Sequence, residues 1–151
     1  MKKSVKIIAM ALLLVSVLVM LVSCSKYSAL KKAFEKEGYA ENDDFNAVAN
    51  SIKADLEKED FAVEIHLLTK SDSTLKPSAL VVEFKSTEDM VKAYEDSEAI
   101  KGLVKDIESN EDVQKVYSSL ENAGFAKGNC FVIPLSLLYM NEITNIVKSV
   151  K

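Results

Sequence analysis

Apolar residues recur along this chain in three rhythms, and each rhythm predicts a different kind of element. An uncharged, mostly apolar run from Ile7 to Val22 comes first. From residue 27 the spacing changes to threes and fours: Tyr27, Leu30 and Phe34 share one face of a helix over 27–37. Gly38 ends it, and a glycine-capped ending would set Tyr39 against Phe34. Glu41-Asn42-Asp43-Asp44 is rich in N-capping side chains. It leads into a second helix over 44–58 with the stripe Phe45, Val48, Ala49, Ile52 and Leu56.

The period then drops to two. Phe61, Val63, Ile65 and Leu67 point one way, and Ala62, Glu64, His66 and Leu68 the other, which predicts a strand over 61–69. A polar loop from Lys70 to Ser78, including Pro77, leads to a second strand at 79–85. Leu80, Val82 and Phe84 face inward there, with Glu83 and Lys85 outward. The two strands read as an antiparallel hairpin with one polar face, joined by a loop longer than most hairpin connections.

Helical spacing returns after Ser86, which caps a turn with Asp89 in the third position. The stretch from Thr87 to Asn122 carries two stripes out of phase. One is Ile100, Leu103, Val104 and Ile107; the other is Val113, Val116, Tyr117 and Leu120. Breaks are expected at Asp96-Ser97 and Ser109-Asn110. Gly124 ends the last piece and places Phe125 against Leu120, as Gly38 places Tyr39 against Phe34. A turn at Lys127-Gly128-Asn129 precedes a third strand, Cys130 to Leu135. Ser136 then caps a final helix carrying Met140, Ile143, Ile146, Val147 and Val150. The expected order is α-α-β-β-α-β-α: an α+β fold with a small three-stranded, mainly antiparallel sheet packed against helices.

The N-terminal run has its own chemistry. Lys2, Lys3 and Lys6 precede it, and Leu21-Val22-Ser23-Cys24 closes it before Ser25 and Lys26. A basic segment, an apolar segment and a small-residue cleavage site make a signal peptide. An apolar run of sixteen residues, Ser16 included, is slightly long for such a segment and slightly short for the roughly 20 that span a bilayer, so the cysteine decides. The tetrapeptide resembles the lipobox of bacterial lipoprotein precursors. That resemblance implies cleavage between Ser23 and Cys24, a diacylglyceryl thioether on Cys24, and often an acylated new N-terminus. Residues 1–23 would be the signal, and residues 24–151 a mature α+β domain on the extracytoplasmic side of the cell membrane. The membrane itself would be a partner, through lipidated Cys24. The resemblance covers none of the domain.

Composition narrows what that domain can do. The chain has 19 lysines, no arginine and 23 acidic residues; without the signal, 16 lysines remain, for a net charge of −7. Such a balance leaves no footprint for nucleic acid. With Cys24 lipidated, Cys130 stands alone and no internal disulfide is possible. It opens the apolar run Cys130-Phe131-Val132-Ile133, where an inert buried thiol is expected.

Catalytic and metal constellations are scarce. One histidine supports neither a multi-histidine metal site nor a triad. His66, beside Glu64 on the outward face, reads as a solvated or hydrogen-bonded surface residue. The acidic segment at 41–44 fails calcium-loop spacing, with Ala47 and Lys53 where glycine and glutamate belong. Gly38, Gly102, Gly124 and Gly128 form no phosphate or dinucleotide loop. No catalytic, cofactor or metal residue is therefore assigned. The reading that follows is a non-catalytic binding or accessory module of the envelope, facing an unidentified protein or polymer. The alternative is an envelope enzyme or enzyme inhibitor. Lys26, Lys31 and Lys32, close behind the lipid, are expected to press the first helix toward anionic headgroups.

Overall fold

The computed structural model describes residues 26–103 and 113–151. Helix α1 occupies 26–36, and Tyr27, Leu30 and Phe34 are buried along one side of it. Strand β1 (Tyr39–Glu41) follows, and a 3-10 turn (Asp43–Phe45) leads into α2 (Asn46–Lys58). Strands β2 (Val63–Lys70) and β3 (Ser78–Phe84) form the expected hairpin. Helices α3 (Thr87–Asp96), α4 (Glu98–Leu103) and α5 (Val113–Ala123) come next, then β4 (Ala126–Lys127), β5 (Cys130–Pro134) and α6 (Met140–Ser149).

The fold is α+β with an antiparallel sheet, but the sheet has five strands rather than three, in the order β1-β2-β3-β5-β4. The two additions, β1 and β4, are three and two residues long. Neither is long enough to display a two-residue rhythm. Each becomes a strand by pairing with a neighbour: Tyr39 opposite Lys70, and Ala126 opposite Phe131.

The expected polar face of the hairpin is also corrected. Val63, Leu67, Leu80, Val82, Phe84, Phe131 and Ile133 pack beneath Leu56 of α2, Met90 and Tyr94 of α3, Ile100 of α4 and Leu120 of α5. On the other face Leu68, Ala79, Val81, Cys130 and Val132 pack beneath α1 and α6. Both faces of the sheet are therefore covered. Ala79-Leu80-Val81-Val82 is a continuous apolar run, and such runs mark strands buried on both sides.

Several punctuation signals act as expected. Ser86 Oγ accepts a hydrogen bond from the Asp89 N–H at 3.0 Å and caps α3. Ser97 separates α3 from α4, and its hydroxyl accepts from the Ile100 N–H at 3.2 Å. At the end of α5 the Phe125 N–H bonds Leu120 O at 2.8 Å and the Gly124 N–H bonds Glu121 O at 3.1 Å. These are the two bonds of a Schellman ending. Phe34 and Tyr39 meet edge to face, 5.3 Å between ring centroids.

Other expectations fail. Ser136 makes no side-chain cap; a 3-10 turn, Leu137–Tyr139, intervenes before α6, and Met140 is 37 % exposed rather than core. Val48 of the α2 stripe is 52 % exposed, because only the Leu56 end of that helix is fully buried. The hairpin loop is shorter than the nine residues from Lys70 to Ser78, since Thr69 pairs with Ser78 and the Lys70 N–H bonds Pro77 O at 3.0 Å. The break at Ser109-Asn110, residues Val104 and Ile107, and the side chains of Leu103, Val113 and Val116 lie outside the described residues.

Candidate functional site

Ser23 and Cys24 also lie outside the described residues. What can be located is the ground on which α1 sits. Its N-terminal end lies near the β4–β5 turn, where the Lys26 side chain rests against Gly128. Its far end leads into β1 beside the end of β2.

His66 lies beneath the N-terminal half of α1, on the sheet face expected to be solvated. Its side chain is only 23 % exposed. The Tyr27 ring stacks on the imidazole with centroids 3.6 Å apart and planes 15° from parallel. Nδ1 is 3.4 Å from Glu41 Oε1, and Nε2 is 3.5 Å from Glu83 Oε2. Nε2 is shut off from solvent and makes no hydrogen bond among the described residues, so Glu83 is a charge neighbour rather than an acceptor.

Glu41 ties this cluster together. Its carboxylate accepts hydrogen bonds from the Lys31 ammonium and the Tyr27 hydroxyl. Those bonds, Lys31 foremost, hold its carboxyl below the usual value of 4.5. Burial, reinforced by the bond to Glu41, pushes the Tyr27 hydroxyl up. The arrangement fastens α1 to β1 and the sheet. It offers a substrate no open imidazole nitrogen: one faces Glu41, the other is sealed, and Tyr27 covers the ring.

The remaining candidates can be placed one by one. Cys130 is fully buried, and burial followed by the Glu83 charge pushes its thiol up to about 12. A thiol held protonated in this way is a poor nucleophile. Asn42 Oδ1 accepts from the Asp44 N–H at 2.9 Å, so the 41–44 segment turns the chain into α2. No group of three or more potential metal ligands stands together among the described residues. Glu64, beside His66 in sequence, pairs instead with Lys53 of α2 at 3.0 Å. The hairpin loop is laced by its own bonds, including Lys76 N–H to Ser73 O at 3.1 Å.

Of Lys26, Lys31 and Lys32, Lys31 is committed to Glu41, whereas Lys32 lines a groove between α1 and α6. Two features escaped the sequence reading. Lys36 and Lys151 share that groove with Lys32. Leu137 and Leu138 are 86 % and 82 % exposed. The signal for the leucines was present, because they precede the Ile143–Val150 stripe and do not belong to it. No helix among the described residues is long and apolar enough to cross a membrane. Comparison of the chain with protein families, curated proteins and solved structures gives no match to any of them.

Proposed function

We propose that this chain is the precursor of a lipid-anchored envelope protein whose domain serves at the membrane surface as a binding or accessory module. Leu21-Val22-Ser23-Cys24 behind a basic, then apolar, segment carries the reading. The start of the fold supports it. Only Ser25 and Lys26 separate Cys24 from Tyr27, which is already buried in the core at 9 % exposure. A lipid on Cys24 would hold the domain against the bilayer with almost no tether. Each buried methylene contributes about 0.8 kcal/mol, so two or three acyl chains anchor firmly where one does not.

Intact-mass analysis of the membrane-extracted protein tests the proposal. The expected product begins at Cys24 and carries the added mass of its acyl chains. Cys24→Ser should accumulate as an uncleaved precursor still held by its apolar run. An unmodified cysteine at the N-terminus of a cleaved product would overturn the lipid reading.

A further inference from the structure

The chain without its signal is strongly acidic, yet one face of the described fold is not. Between α1 and α6 runs an open groove of about 590 Å³. Lys32 and Lys36 enter it from α1, and Lys151 enters it beyond the end of α6. None of the three makes an ion pair or hydrogen bond among the described residues. Two carboxylates share the lining, Glu37 and Glu142. Glu142 is already engaged, by Lys70 at 3.2 Å and by the Tyr39 hydroxyl at 3.1 Å. The groove therefore keeps an excess of unpaired positive charge.

An apolar turn leads into α6, one wall of the groove. Glu142 lies in the first turn of α6, and the 3-10 turn directly before that helix carries the exposed Leu137 and Leu138. Neighbouring apolar side chains left in water mark a surface that something covers. The opposite side of the molecule differs in charge: α3 carries Glu88, Asp89, Glu95 and Asp96 against Lys92 alone.

We infer that the α1–α6 face lies on an anionic bilayer, with Lys32, Lys36 and Lys151 at headgroup level and Leu137 and Leu138 inserted beside them. The inference rests on the proposed membrane anchorage and adds an orientation to it. Lysines at an anionic surface attract its phosphates as point charges and need no fixed partner geometry. Apolar side chains flanked by lysines are the pattern of surfaces that lie in the interface plane. The acidic α3 side then faces away, where repulsion from the same headgroups holds it. Lys31 takes no part, since Glu41 holds it on the other flank of α1.

Hydroxyl-radical footprinting of the full membrane-extracted protein tests this. The protein is reconstituted in vesicles of phosphatidylcholine alone and of phosphatidylcholine with phosphatidylglycerol. On the anionic vesicles Leu137 and Leu138 should be protected, while Val48, exposed on α2, stays as reactive as in neutral vesicles. Replacing Lys32, Lys36 and Lys151 by Gln should reduce the protected population roughly five-fold per lysine. Equal reactivity of Leu138 on both vesicle types, or protection undiminished in the triple variant, would overturn the inference. So would protection that follows protein concentration rather than anionic lipid, which would mean that a second copy covers the leucines. The N-terminal peptide of the same digest shows whether Cys24 carries lipid. If it does not, the apolar run still holds the chain at the bilayer, and the comparison of Leu138 with Val48 still decides the orientation.

Discussion

Asp60 occupies, at the end of α2, the position that Gly38 and Gly124 occupy after α1 and α5. Its φ is +65°, and the Phe61 N–H bonds Leu56 O at 3.0 Å while the Asp60 N–H bonds Glu57 O at 3.2 Å. Leu56 and Phe61 then supply the apolar contact that Phe34 and Tyr39 supply elsewhere. An L side chain in this left-handed region costs about 1–2 kcal/mol, less for Asp than for most residues. Asp60→Gly is therefore expected to stabilise the protein by about 0.5–1 kcal/mol in urea melts; a destabilised variant would show that the carboxylate contributes more than it strains. The two glycines differ from each other. A Cβ on Gly124 would lie 2.5 Å from Thr144 O, a backbone atom of α6 with little room to yield, whereas at Gly38 the nearest atom is Lys70 Cε at 3.5 Å. Gly38→Ala should cost about 1–2 kcal/mol for its backbone conformation alone. Gly124→Ala should cost about 2–4 kcal/mol, since it adds the clash. Equal losses in parallel melts would mean that α6 shifts freely to admit the methyl.

Helix α1 is held to the sheet by apolar burial along its length and by the polar cluster at Glu41. The charge on that cluster can be read through pH. Glu41 has a folded pKa below its unfolded one, so its contribution is fully present above the usual carboxylate value. That contribution is lost as pH falls through the depressed folded value. Glu41→Gln should accordingly be less stable than the parent at neutral pH, and the gap should close as pH falls below 4.5. Melts of both proteins across that range measure it, the other carboxylates cancelling in the difference. A gap independent of pH would mean that the loss comes from something other than the charge of the Glu41 carboxylate.

At the scale of the molecule the sheet is shared by two cores. Met90 belongs to the core under α2–α5 and Ile143 to the core under α1 and α6, each essentially inaccessible to solvent. Met90→Ala and Ile143→Ala should each cost about 2–5 kcal/mol. Because β3 contributes Leu80 and Val82 to one core and Ala79 and Val81 to the other, both variants should unfold in one transition. Two separated transitions in either variant would show that the helical layers melt independently. Ile133, in the apolar run of β5, is 6 % exposed and should lose a comparable amount on replacement by Ala.

The sequence by itself determined whatever is written in local chemistry. Helix stripes such as Tyr27–Leu30–Phe34, the Ser86 cap, the break at Ser97 and the glycine endings at 38 and 124 depend on residues a few positions apart. Their physics is complete within one or two turns. The resemblance at Leu21–Cys24 is local in the same sense. Tertiary structure decided whatever depends on a neighbour distant in sequence. Tyr39–Glu41 and Ala126–Lys127 are strands only because β2 and β5 lie beside them. Glu64 and His66 sit two residues apart on one strand face, yet Glu64 stays in water with Lys53 while His66 is roofed by Tyr27 of α1. A period of two assigns both to the same face and cannot say how far along that face a covering helix reaches. Lys31 and Lys32 divide for the same reason. Adjacent residues on a helix point about 100° apart; the placement of β1 and α6 on either flank of α1 gave one lysine a carboxylate and left the other facing a groove.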